Sequence, residues 1–212
     1  MKFISKTDDP MELVAWKQGD KMFQRGRPNW NRVPGNIKRI IKDQLKKEQG
    51  YICCYCQQSL SGEDNHIEHL KPKGENYFPQ HQIDYDNLLC SCQFEIEKGE
   101  PRHCGNSKGS WYDDILLVSP LDSKCEEKFK YTFDGYIEAV DENDISAITT
   151  INKLRLDLDK LNDLRRKTIE PFLDEELTVE EVKTFVSAYL VPKEENEGKF
   201  NQCFTIIKYL FT

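Results

Sequence analysis

The chain has 212 residues, of which 32% are charged and 38% hydrophobic, and a formal net charge of −7. That length suits one large domain or two small ones and is enough to bury a real core. No stretch approaches the roughly 20 apolar residues of a membrane span, and the opening Met-Lys-Phe-Ile-Ser-Lys lacks the apolar run of a signal peptide. The sequence therefore predicts a soluble, cytoplasmic protein with no membrane association.

Residues 1–50 carry twelve Lys/Arg against six Asp/Glu, whereas residues 111–212 carry thirteen against twenty-two. Affinity for nucleic acid follows local phosphate neutralisation, so a basic N-terminal part is compatible with it despite the net sign. A solvated basic helix fits the charge equally well. Met11–Phe23 reads as an amphipathic helix. Ile37, Ile40, Ile41 and Leu45 recur at helical spacing, with Asn36 as N-cap and Gly50 as stop. The pattern then becomes short and broken. Asn65–Leu70 predicts a brief strand ended by Pro72 and Gly74, Tyr85–Leu89 opens the next element, and Gly99–Gly109 reads as a loop.

Further on, Ile115–Val118 and Tyr131–Phe133 predict strands, with Asp134-Gly135 turning a hairpin over Tyr131–Val140. Ile151, Leu154, Leu158, Leu161 and Leu164 fit one helix face, better suited to packing than to chemistry. Thr178 and Glu181 form a capping box for a helix over Glu180–Leu190; Pro192–Gly198 reads as a loop and Phe200–Phe211 as a final helix. The expected organisation is α+β in three parts: a basic helical segment (1–50), a cysteine-rich core (51–112), and short strands followed by helices (113–212).

Seven of the eight cysteines lie between Cys53 and Cys125. Thiols clustered in a reducing compartment point to metal ligation and not to disulfides. Cys53 and Cys56 stand in C-x2-C spacing, which lets one knuckle offer two thiolates to a tetrahedral Zn²⁺. Cys92 and Cys104 are the preferred second pair, with Cys90 as alternative. Cys54 is read as a small buried neighbour.

Between the cysteine groups lie His66-Ile67-Glu68-His69-Leu70-Lys71-Pro72 and, further on, Asp86-Asn87-Leu88-Leu89. Phosphodiester hydrolysis needs a base for water, a cation for the phosphate, and a group that fixes the base. A histidine titrates near working pH, an adjacent carboxylate offers a hard oxygen to Mg²⁺ or Mn²⁺, and an Asn can orient the imidazole. Lys71, Lys73 and Lys108 could touch flanking phosphates. His66 is read as supporting the zinc loop or simply facing solvent, and the alternative for Asn87 is merely to cap a helix beginning at Leu88.

Cys-x-x-Cys, Ile-Glu-His-x-x-Pro, Asn-Leu-Leu and the later Cys…Cys-x-x-x-Lys together resemble the HNH nuclease family. Tyr55-Cys56, Ile67–Lys73, Asp86–Leu89 and Lys108-Gly109 are similar to signatures of the PtuB-type nucleases of Septu and retron-associated antiphage systems. The resemblance implies a zinc-stapled ββα-metal core, endonuclease action on DNA, and control by a PtuA-like ATPase in a hetero-oligomeric complex. By position it makes His69 the general base, Glu68 a ligand of the catalytic ion, and Asn87 the residue that holds the base. The family's second ligand directly follows the last zinc cysteine, where this chain has Gly105. Asn106 is the preferred substitute, and His103 stays open. The rival expectation is a non-catalytic zinc-binding adaptor that docks nucleic acid or protein.

Overall fold

Asp20 divides the first predicted helix in two. Its carboxylate accepts hydrogen bonds from the N–H groups of Met22 and Phe23, so Met11–Gly19 (α1) stops there and Lys21–Gln24 (α2) begins. The basic helix is Gly35–Glu48 (α3), which buries Ile37, Ile41 and Leu45; its N-cap position is held by Pro34 and not by Asn36. Gly50 follows at φ +59°, the left-handed conformation that closes a helix, and turns the chain into the Cys53–Cys56 knuckle. The computed structural model describes residues 1–192 and 198–212, so the predicted loop over Pro192–Gly198 falls mostly outside the described residues.

Asn65–His69 (β1) and Leu88–Cys92 (β2) pair antiparallel, with His66 opposite Ser91 and Glu68 opposite Leu89. The expected loop before Gly109 contains a one-turn helix, Cys104–Lys108 (α4), lying against β2. Five residues are too few to show helical periodicity, and Gly105 and Asn106 read as loop. The predicted strand over Ile115–Val118 does not form. Asp113 accepts the N–H groups of Ile115 and Leu116 into a tight turn, which leaves Ile115 exposed. The hairpin does form, from Phe129–Tyr131 (β3) to Ile137–Ala139 (β4), starting two residues and ending one residue earlier than predicted.

The apolar stripe expected on one helix face is shared between Ile145–Leu154 (α5) and Asp159–Ile169 (α6), because Arg155 turns left-handed at φ +50° between them. Val179–Leu190 (α7) carries the expected capping box. The last helix, Phe204–Phe211 (α8), starts four residues later than predicted, after Cys203 at φ +54°. The architecture is α+β: helices with two small antiparallel sheets. Apart from Ile52, the buried apolar side chains of the described residues, from Met1 to Ile207, belong to one cluster. Among the described residues no helix is long and apolar enough to cross a membrane.

Candidate active site and metal centre

The knuckle is a tight turn. Cys53 N–H donates to the Gln58 carbonyl at 2.8 Å, Gln57 N–H donates to the Cys53 carbonyl at 3.1 Å, and Gln57 itself is left-handed. Gln49, buried at the end of α3, fixes it to β2. Its amide donates to the carbonyls of Ile52 and Cys90 and accepts the Cys90 N–H. The result brings Cys53, Cys56, Cys92 and Cys104 together, all buried, with their sulfurs within 4.8 Å of one another. A tetrahedral zinc with Zn–S bonds of about 2.3 Å sets its sulfurs about 3.8 Å apart, and Cys56 Sγ already stands 3.6 Å from Cys92 Sγ. Four thiols and no disulfide make a donor set that fits zinc. Burial would raise the Cys53 thiol, but hydrogen bonds from Cys104, Cys54, Cys56 and Cys92 outweigh it and hold its pKa well below the ordinary value. Cys90 stays outside the cluster, 3.7 Å from Asn65 Oδ1, and burial pushes it up to about 12. Cys54 is a buried neighbour, also raised by burial.

His69, at the end of β1, is 7% exposed. Its Nε2 lies 3.1 Å from the Gln82 carbonyl. A carbonyl only accepts, so Nε2 carries the proton and Nδ1 is the lone-pair nitrogen. Trp30 packs edge-on against the ring with centroids 5.0 Å apart. Burial, followed by the charges of Lys73, Lys108 and Lys38, lowers the imidazole pKa to about 4, so the ring is neutral near neutral pH. Gln82 does double duty: its side chain accepts the Trp30 N–H and donates to the carbonyls of Pro28 and Pro79, locking the N-terminal segment onto the loop that holds the base. Gln82 also lines a groove of about 700 Å³ together with Arg27, Asn29, Asn31 and Lys73 among others.

Glu68 is also buried. Its Oε1 receives Lys108 Nζ at 2.9 Å and the Tyr55 hydroxyl at 3.3 Å. Its Oε2 faces His66 Nε2 at 3.9 Å. Strand alternation puts His66 and Glu68 on one face of β1, and α4 lies over that face: Gly105 N–H donates to Ser91 Oγ at 3.2 Å. A β-carbon added to Gly105 would stand 2.7 Å from Glu68 Oε2 and 2.9 Å from His66 Nε2.

No model of a known protein family matches the chain. It is 34% identical over 139 residues to a protein of Vibrio cholerae serotype O1 biovar El Tor named "Retron Vc95 putative HNH endonuclease". That match covers 63% of this chain and 65% of the Vibrio protein, so the chain spans slightly less than two thirds of that relative's length. A second relative, from Escherichia coli and named "Retron Ec83 putative HNH endonuclease", is 26% identical over 220 residues, covering 81% of this chain and 80% of its own.

Set against this geometry, the expected site residues divide. His69, Glu68 and the four cysteines sit together around β1, β2 and α4. The side-chain hydrogen bonds of Asn87 do not go to the His69 ring. Its Oδ1 accepts the Lys71 N–H, and its Nδ2 donates to the carbonyls of Lys71 and His81, so it ties the loop between β1 and β2 while the Gln82 carbonyl holds the imidazole. The two expected second ligands are engaged elsewhere: the Asn106 amide donates to the Gln93 carbonyl, and His103 Nδ1 lies 3.2 Å from Cys104 Sγ. Lys108 cannot reach out to flanking phosphates, because its side chain is fully buried and its Nζ is shared between Glu68 and the His69 carbonyl. Lys73 is exposed, 5.7 Å above the Trp30 ring. Lys71 is partly exposed between Tyr112 and Phe78, 3.8 Å from Asp114. The sequence reading missed Gln82 and Trp30, which carry no motif, and His66, whose signal was its two-residue spacing from Glu68 on a strand.

Proposed function

We propose that this protein is a metal-dependent HNH endonuclease that hydrolyses phosphodiester bonds in DNA. On this reading β1, β2 and α4 form the ββα nuclease core, with the four cysteines as its zinc staple. The observation that carries it is the His69 ring: buried, with Nε2–H committed to the Gln82 carbonyl and Nδ1 left as the lone-pair nitrogen, while Gln82 also lines a groove with Lys73 and Arg27 on its wall. An imidazole held in one tautomer is what a general base requires.

His69 Nδ1 takes a proton from a water molecule, and the resulting hydroxide attacks phosphorus in line. Lys73 and Arg27 engage the backbone phosphates that lie in the groove. Lys108 fixes both Glu68 and the strand end that carries His69, so the carboxylate and the base hold a constant relation. Glu68 would hold a divalent cation, which would supply neutralisation of the charge developing on phosphorus and on the departing 3′ oxygen.

Resemblance to PtuB-type nucleases and kinship with the retron proteins support a place in an antiphage defence system. There an ATPase partner of the PtuA type would control the nuclease. The chain carries no phosphate-binding P-loop motif of its own, so nucleotide dependence would have to come from that partner. The test is cleavage of supercoiled plasmid by the purified protein with Mn²⁺ or Mg²⁺, alone and with the ATPase co-expressed from its operon. Nicking or linearisation that disappears in His69→Ala is expected. Equal cutting by wild type and His69→Ala would refute the base, and no cutting under any condition would leave the zinc-binding adaptor as the function.

A further inference from the structure

The His66 ring is the least satisfied polar group near the candidate site. It makes no hydrogen bond to any described residue, and its Nδ1 is buried without a partner. Its Nε2 points into the space beside Glu68 Oε2, at 3.9 Å. Lys108 and Tyr55 engage only the other carboxylate oxygen, so Oε2 remains free for a ligand. The helix residue facing this space is Gly105, and a single extra carbon there would press on both donors. The arrangement keeps open a small gap between one imidazole nitrogen and one carboxylate oxygen. An ion with bonds of about 2.1 Å spans donors about 3.0 Å apart when they are cis and about 4.2 Å when they are trans, and the observed separation falls inside that window.

We infer that His66 Nε2 and Glu68 Oε2 together hold the nuclease's divalent cation, and that this nitrogen–oxygen pair selects a first-row transition ion such as Mn²⁺ over Mg²⁺. The inference rests on the nuclease reading above and assigns to a strand residue the ligand role that Gly105 cannot fill from the helix. The selectivity follows from donor chemistry. Imidazole binds transition ions well, whereas Mg²⁺ prefers oxygen donors and gives up its water reluctantly. A loop placed beneath an oxygen-only site would show no such bias.

The experiment titrates zinc-loaded, full-length protein with Mn²⁺, following free Mn²⁺ by electron paramagnetic resonance, and measures Mg²⁺ by competition. Wild type should bind one Mn²⁺ in addition to zinc. His66→Ala should weaken Mn²⁺ at least about tenfold and Mg²⁺ less than about threefold, with zinc content and Tm unchanged. If His66→Ala fails to fold, His66→Asn reads the same ratio. Gly105→Ala, whose backbone tolerates a side chain, should weaken both ions by crowding the donors. Wild-type Mn²⁺ affinity in the His66 variants, or equal losses of Mn²⁺ and Mg²⁺, overturns the inference. Glu68→Gln separates it from the nuclease reading. Loss of binding there with none in His66→Ala removes only the His66 assignment, whereas retained binding in Glu68→Gln removes the cation site itself.

Discussion

The two small sheets of this protein do different work with similar backbones. In β3–β4 the alternation is that of a packing element: Phe129, Tyr131, Ile137 and Ala139 are buried, while Lys130 and Glu138 pair across the strands in solvent at 3.5 Å. In β1–β2 the buried positions include Asn65, Glu68, His69 and Ser91, and a lysine from α4 is buried with them. Burying such groups costs free energy unless each finds a partner. These groups find partners, whereas the half-buried His66 beside them keeps an unpartnered, buried Nδ1. The lesson is that a sheet with a polar interior marks chemistry, and a sheet with clean alternation marks packing.

That contrast can be broken at several points. The largest effect should come from the staple. Cys56→Ala, or zinc removal by a strong chelator, should unfold the β1–β2 region outright, a loss above about 5 kcal/mol, because zinc binding here is folding energy. Loss of the thermal transition together with bound zinc would be the reading, and a zinc-free variant that melts like wild type would break the idea of a staple. His69→Ala should come next, costing on the order of 10³-fold in plasmid cleavage, about 4 kcal/mol of barrier, with zinc content and Tm preserved. A variant that loses Tm in step with activity would make His69 a packing residue.

Phe129→Ala tests the other sheet. It should cost about 3–4 kcal/mol of stability by leaving a cavity under β3, while cleavage per folded molecule stays at the wild-type level well below the new Tm. A specific loss of cleavage would show that the second sheet takes part in the chemistry. Asn87→Ala removes three hydrogen bonds from the loop between β1 and β2. It should cost about 2 kcal/mol, with a cleavage defect smaller than that of His69→Ala; a defect equal to it would return Asn87 to the role of directly holding the base. The smallest effect is Thr178→Ala. It removes a surface capping box far from the site and should cost about 1 kcal/mol, seen as a shift in urea midpoint and nothing in cleavage.

Much of the local structure was legible because its signals are local. The stripe of α3, the capping box of α7 and the Asp134-Gly135 turn each act within a few residues. The failures were local too, in places where one side chain redirected the backbone. Asp20 cut the first helix, Asp113 replaced a strand with a turn, and Arg155 split an apolar stripe into α5 and α6. A hydrophobic period does not register a single hydrogen-bonding or left-handed residue that interrupts it.

By itself the sequence pointed to a thiol metal site built on the Cys53–Cys56 knuckle, singled out Glu68-His69 as the candidate chemical pair, and gave an α+β expectation. Those conclusions rest on residue type and short spacing. Only the tertiary structure decided which polar groups meet. It excluded Cys90 from the thiol cluster, buried Lys108 against Glu68, gave the His69 ring to the Gln82 carbonyl, and set His66 beside the gap left by Gly105. It also docked the Cys53–Cys56 knuckle on α8 through Gln57 and Thr205, 148 positions apart in the chain. Such contacts depend on how helices and strands from distant segments close on one core, and no short-range pattern encodes that closure.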